Sequence, residues 1–288
     1  ALTQNAQDTP AVDKNKVDKA YQCLEYLVEE KQEEDLSLQE AIFSTLALGS
    51  KSKLKNVIAN DAHNDECWPS PSCTIKDTAQ VLLAYERINR KTDDIEAWLS
   101  NQSGTASELT WFLQVDITNH IESSCTLTYQ NTDKTITIKE DMKISGSPGQ
   151  CFSISSSGFW LRVNNDCIDE TFRISCDQDF ITSLLYQKSG SNTIFVSPNT
   201  HSSAALGTTE EKINSKCFKL GNSCNYEGSL WATIALDNVG EDVSAFLPYL
   251  LALVDENKRL FPNTFLYILT KGNDQYSQII QAQQQAQY

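Results

Sequence analysis

Nine cysteines carry most of the chemical potential of this 288-residue chain: Cys23, Cys67, Cys73, Cys125, Cys151, Cys167, Cys176, Cys217 and Cys224. Cysteines at short spacing either hold a metal or close disulfides. Structural zinc usually takes pairs separated by two residues or a few more, and no C-x-x-C occurs here. The close pairs are Cys67/Cys73, Cys167/Cys176 and Cys217/Cys224, which suit short disulfide loops. Disulfides are therefore expected at Cys67–Cys73 and Cys217–Cys224, and at Cys167–Cys176 and Cys125–Cys151 in the middle of the chain, with a metal site or reduced core thiols as the competing readings. The odd count leaves Cys23, which falls among apolar residues on a helical pattern and is expected to pack there as a small hydrophobe.

Other chemistry is sparse. The histidines are His63, His120 and His201. His201-Ser202-Ser203 is too local for a triad, whose members converge in space and not along the chain, and reads as a polar loop. No G-x-S-x-G elbow or phosphate-binding glycine loop is present. Asn60 to Glu66 offers hard oxygen ligands for Ca²⁺ but lacks the EF-hand order, so a solvated loop is expected. Trp111, Trp160, Tyr129 and Tyr186 either form a sugar-binding platform or fill a core. Asn101-Gln102-Ser103 is a glycosylation sequon. No catalytic, cofactor-binding or metal-ligating residue is expected, and no cofactor.

The bulk properties bound the surroundings of these groups. A net charge of −15 disfavours nucleic acid, because phosphate binding needs a basic surface, and favours solubility, cations or a basic partner. No apolar run is long enough to cross a membrane. The first residue is Ala1, as in a secreted protein whose signal peptide has been removed.

The elements follow from periodicity. Residues 1–13 form a polar arm. Helical spacing runs through Val17, Tyr21, Leu24, Leu27 and Val28, then through Leu38 to Leu48 with Gly49 as a stop. A loop is expected from Lys51 to Pro71, then helices over Asp77–Asn89 and Asp93–Asn101. From about Glu108 to Ser197, short β-branched and aromatic runs between turns predict an antiparallel sheet or sandwich. Thr208-Thr209-Glu210-Glu211 matches a capping box and predicts a helix start. Helices are expected near 229–239, 243–256 and 262–271, followed by a polar tail over 281–288.

An internal repeat joins the two helical stretches. Aligning Cys73 with Cys224 brings Thr78 onto Ser229, Leu83 onto Ile234, Ala84 onto Ala235 and Ile88 onto Val239. Each copy has a second cysteine shortly before it and an amphipathic helix after it, with Trp98-Leu99 or Phe246-Leu247. Glu40 to Leu48 is a weaker third copy. The pattern T-A-x-x-L-L-A, the acidic turn, the Trp-Leu helix and the run from Gln102 to Trp111 resemble the α/α-toroid repeats of terpenoid cyclases and protein prenyltransferases. The resemblance covers about 40–100 and 224–272. It implies a helical ring, incomplete or completed by something else, and an isoprenoid substrate. Against that activity, the Asp-x-Asp-Asp acid is absent around Asp93-Asp94, and Ala97 interrupts a magnesium-type Asp-Asp-x-x-Asp. Asp65-Glu66-Cys67 would fit half of the prenyltransferase zinc site, with His120 or His201 as the distant ligand, unless Cys67 is bonded to Cys73.

These observations predict an α+β protein: a mobile arm over 1–13, helical hairpins over 14–105 and 208–280, an inserted disulfide-bearing β domain over 106–207, and the tail. Its expected role is a non-catalytic extracellular structural or assembly protein, such as a cell-surface layer or filament subunit, self-associating through its terminal arms. A secreted glycan- or peptide-binding module and a divergent toroid enzyme are the alternatives.

Overall fold

The computed structural model describes residues 14–285; the expected arm over 1–13 and the last three residues of the tail lie outside the described residues. The fold mixes helices with antiparallel sheets. Two compact units are present. Among the described residues, one holds 14–102 with Ala235–Glu241, the other Ser103–Ile234 with 242–285.

The first unit is built from α1 (Lys14–Glu30), α2 (Leu38–Leu48), α3 (Ser52–Asn60), α4 (Ile75–Arg87) and α5 (Asp93–Asn101). A capping box opens α2: the Ser37 hydroxyl accepts from the Glu40 N–H at 3.2 Å, and the Glu40 carboxylate accepts from the Ser37 N–H at 2.9 Å. Gly49 closes it at φ +77°, a left-handed angle that glycine adopts without a Cβ clash. Helix α3 occupies part of the stretch expected as a loop. Its apolar stripe is only Leu54, Val57 and Ile58, hidden among Lys, Ser and Asn, yet all three are buried. Tertiary burial overrides weak local periodicity there. The C-terminus of α1 is held by Lys53, whose Nζ donates to the carbonyls of Val28, Glu29 and Lys31 at 3.0, 2.8 and 2.7 Å. Cys23 is free, as its odd number required, but it is exposed. It sits off the stripe defined by Leu24 and Val28, so the expected core packing is corrected.

The second unit contains β1 (Ser103–Thr105), β2 (Leu109–Ile117), β3 (Ser123–Tyr129), β4 (Thr132–Ile138), β5 (Ile144–Gly146), β6 (Phe152–Ile154), β7 (Leu161–Val163), β8 (Thr171–Cys176), β9 (Phe180–Lys188), β10 (Phe195–Ser203), β11 (Thr209–Lys212), β12 (Lys216–Leu220) and β13 (Ser223–Cys224). Two five-stranded sheets run β10-β9-β2-β7-β6 and β11-β8-β3-β4-β5, and a small third runs β1-β12-β13. β2 pairs with β9 along its whole length, from Leu109 opposite Lys188 to Ile117 opposite Phe180. Inward residues of both large sheets, among them Leu113, Leu127, Ile136, Phe172 and Phe180, join one core. Helices α6 (Tyr226–Asn238), α7 (Leu247–Ala252), α8 (Pro262–Thr270) and α9 (Asn273–Gln285) complete the chain, with single 3₁₀ turns before and after α7 where one helix over 243–256 was expected. Tyr249, Leu250 and Leu266 share the sheet core. Residues 281–285 of the polar tail are helical.

Two expectations fail inside this unit. Cys125 bonds to Cys176 and Cys151 to Cys167, not Cys167 to Cys176 or Cys125 to Cys151. Cys167 closes a 3₁₀ turn, Asn165–Cys167, and β8 then runs extended from Thr171 to Cys176 without a turn that could fold Cys176 back on it. The strand instead brings Cys176 directly opposite Cys125 on β3. The capping-box match at Thr208 opens no helix either: Thr209–Lys212 is strand β11, with Glu211 turned inward.

The repeat is visible bond by bond. Cys67–Cys73 and Cys217–Cys224 are disulfides. The N–H of the residue after the first cysteine, Trp68 or Phe218, donates to a helix hydroxyl, Thr78 at 3.0 Å or Ser229 at 2.9 Å. The same hydroxyl returns a bond to that residue's carbonyl, at 3.2 and 3.5 Å. Side chains of Thr74 and Asn225 cap α4 and α6 by accepting from Asp77 N–H and Gly228 N–H. Each helix then ends in a positive-φ residue, Asn89 or Gly240. Matching bonds close the ends, from Arg90 N–H to Tyr85 O and from Glu241 N–H to Leu236 O.

Two outcomes are expected. Thr78→Val leaves the buried Trp68 N–H without an acceptor and lowers unfolding free energy by about 1–3 kcal/mol. Ser229→Ala does the same to Phe218, while Thr78→Ser costs less; urea unfolding of the three variants measures it. The second concerns acid. Bonding to the Lys31 ammonium first, and to Ser37 second, lowers the Glu40 carboxyl from the ordinary 4.5 to about 2. A depressed folded value means that its stabilisation is complete above 4.5 and is lost as pH falls toward 2. The thermal midpoint of Glu40→Gln should therefore change less than that of the parent chain across this window.

Candidate functional site

One carboxylate links the two large sheets. Strand β11 turns Thr209 and Glu211 inward and Glu210 and Lys212 outward, as the two-residue period of a strand requires. Glu211 is 2% exposed, so its charge must be compensated by hydrogen bonds. Thr182, buried on β9 of the other sheet, donates its hydroxyl to Glu211 Oε1 at 2.6 Å. Thr209 Oγ1 lies 3.0 Å from Thr182 Oγ1. His201 on β10 brings Nδ1 to 2.9 Å from the same Glu211 oxygen. A carboxylate oxygen only accepts, so the ring carries a proton on Nδ1.

His201 borders a cleft of about 320 Å³ that Leu184, Ser197, Asn199 and Lys212 also line. A carboxylate-oriented imidazole is the base half of a nucleophilic site. Among the described residues, no serine hydroxyl is hydrogen-bonded to His201; Ser202 and Ser203 follow it along β10. The Thr182–Glu211–His201 chain thus acts as a polar strut between sheets. Sequence reading placed His201 in a loop and missed Glu211 altogether, because the capping-box match assigned that residue to a helix turn.

A larger cleft, about 470 Å³, lies between the β9–β10 turn and helices α7 to α9. Its inner wall ends in Phe195, stacked on Tyr186 at 5.4 Å, with Tyr186 in turn 5.0 Å from Trp111. Leu251 and Val254 extend the apolar wall. The rim carries two ion pairs, Lys188 with Glu256 and Lys258 with Asp255, and the amides of Asn263, Gln275 and Gln278. An aromatic and aliphatic wall below convergent amides fits a neutral polar ligand such as a sugar or a peptide backbone. These residues are scattered over roughly ninety positions, which is why spacing alone did not gather them.

The residues singled out from the sequence are dispersed. Cys67 is held in a disulfide and supplies no thiolate, so the Asp65-Glu66-Cys67 zinc reading fails. Asp65 instead faces Arg90 at 4.0 Å. His63 forms a backbone bridge with Cys67, and His120 sits in a turn after β2 at φ 52°. Trp111, Tyr129 and Tyr186 are core side chains, leaving Trp160 half-buried against Phe112. Asn101 is exposed in the last turn of α5. Among the described residues, no three His, Cys, Asp or Glu side chains gather to hold a metal ion. Compared with protein-family models, curated proteins and solved structures, the chain matches none of them.

Glu211→Ala removes the acceptor that Thr182 and His201 share and empties a buried position, and is expected to cost about 2–4 kcal/mol. Glu211→Gln keeps an oxygen acceptor for Thr182 and should cost less. Chemical unfolding of both variants beside the parent chain gives the ranking.

Proposed function

We propose that this chain is a non-catalytic extracellular structural protein that acts as a subunit of an assembly, of the surface-layer or filament kind. The carrying observation is the set of large apolar side chains that a disulfide-pinned fold leaves in solvent on its helices. Disulfides pin the helix entries and the sheet core, and fit an oxidising, secreted environment. The helices at both described ends hold large apolar side chains in solvent: Tyr21, Tyr26 and Leu27 on α1, Phe261 and Ile268 beside and on α8, Tyr276 on α9. Exposed apolar residues grouped on one helix, as Val17, Tyr21, Tyr26 and Leu27 are on α1, favour contacts between subunits. A net charge of −15 keeps such a chain soluble until complementary faces meet.

The larger cleft favours a second reading, a secreted module that binds a glycan or peptide over Phe195. A toroid enzyme acting on an isoprenoid is the weaker third reading, since Cys67 cannot serve as a zinc ligand in its disulfide. Sedimentation of the native protein over a hundredfold range of concentration separates the first two. Particles heavier than the 32.2 kDa chain support assembly. A monomer throughout, with binding of oligosaccharide or peptide that Phe195→Ala abolishes, would transfer the function to the cleft.

A further inference from the structure

Helix α1 is amphipathic, yet its own unit covers only one flank. Val28 is buried, and Lys51 reaches across to Glu25 and Glu29 on that flank. The adjoining flank, left in solvent, carries a heptad: Val17 at a, Ala20 at d and Leu27 at d, with Leu24 at the second a on its border with the buried Val28. Val17 is 38% and Leu27 53% exposed, Ala20 is exposed and Leu24 half-buried. Residues at the neighbouring g positions are Lys16, Cys23 and Glu30, all exposed. Charge is divided along the helix. Lys14, Lys16 and Lys19 lie in its first half, with Asp18 the one acid there, and Glu25, Glu29 and Glu30 lie in its second.

We infer that α1 docks antiparallel on α1 of a second copy of this chain, with the two Cys23 residues facing each other at the dyad. In antiparallel pairing, a packs against d of the partner and g flanks g. Setting Val17 against the partner's Leu27, and Ala20 against the partner's Leu24, places Lys16 beside the partner's Glu30. The same register places Cys23 beside the partner's Cys23. A parallel pair would align lysines with lysines and glutamates with glutamates. The charge division, the apolar stripe and the position of the cysteine therefore select one orientation and one register.

Area explains why a thiol belongs there. A 17-residue helix is about 25 Å long, so each partner contributes a strip on the order of 500 Å². A standard stable interface takes about 800 Å² from each partner. The helix contact alone is weak, and a covalent bond at the dyad makes it persistent. The bond forms by exchange with a low-molecular-weight disulfide. One Cys23 thiolate attacks it, releasing one small thiol and leaving a mixed disulfide. The partner's Cys23 thiolate then displaces the second thiol. Two protein thiols are oxidised, one small disulfide is reduced to two thiols, and both thiol protons pass to the leaving thiolates.

This inference rests on the assembly reading and names one of its contacts. Full-length protein is incubated with oxidised glutathione, then analysed by sedimentation and by non-reducing peptide mapping. The expected product has twice the chain mass of 32.2 kDa and a Cys23–Cys23 linked peptide. In Cys23→Ser a reversible dimer remains, and Leu27→Glu, at a solvent-exposed position, weakens it about tenfold or more. Lys16→Glu weakens it too, and adding Glu30→Lys restores it. A Cys23 that is blocked by glutathione in a 32.2 kDa monomer overturns the inference, as does a charge-reversed pair that fails to restore association. Larger particles that persist in Leu27→Glu overturn this contact while leaving the assembly reading in place.

Discussion

Much of the structure depends on a small latch made twice: a disulfide and one buried hydroxyl that hold the entry to a helix. Thr78 and Ser229 are each fully buried, and each receives and returns a backbone bond to the residue after a cysteine. A buried amide without a partner costs more than a typical hydrogen bond contributes, so this residue has one acceptable conformation. The disulfide removes the alternatives by closing a loop only six or seven residues long. Helix α4 then begins at a fixed point, and Trp68 can fill the space beside Tyr85, their rings 5.6 Å apart at 83°. In the second copy Phe218 stacks on Phe246 at 4.4 Å. The aromatic pair differs while the latch does not, so the conserved element of the repeat is its hydrogen bonding and not its packing.

The β unit solves the same problem by a different route. Its disulfides sit in the sheet core, Cys125 and Cys176 side by side on paired strands. Between its sheets a carboxylate replaces an apolar contact. Glu211 draws on a hydroxyl from β9 and an imidazole from β10, so two strands are held to a third by one oxygen atom. Such a strut fixes register, because a shift of β11 by one residue would turn the carboxylate to solvent and bring Glu210 or Lys212 into the core.

The sequence showed what local pattern and spacing encode. Helix α5 was expected over the residues it occupies, Gly49 stops α2, and the repeat carried into Thr78 and Ser229 on matching bonds. What escaped was decided by partners distant along the chain. Cys176 chose Cys125 because β3 and β8 pair, a fact of sheet topology that cysteine spacing does not contain. Helix α3 exists because Leu54 and Ile58 find a core, with Trp68 donating its indole N–H to the Ile58 carbonyl at 2.6 Å. The Thr208 capping box has the right letters, but Glu211 has a stronger bond across the sheets than a helix turn offers. His201 and Glu211 are ten residues apart on the strands β10 and β11, which belong to different sheets, and no local motif announces such a pair.

The same forces account for where apolar surface remains in water. An exposed helix of α1's composition would fray if packing alone held it, since isolated helices of about 15 residues are marginal. Three carbonyls at its C-terminus are bound by Lys53, and two of its glutamates are paired with Lys51. Those contacts hold the helix from one end and one flank. They leave the Val17, Ala20 and Leu27 flank ordered but uncovered, at no cost to the core beneath. A helix ordered in this way would lose little further chain entropy on meeting another surface. Order without coverage is what distinguishes such a helix from a frayed terminus, and it comes from two lysines that lie outside the helix itself.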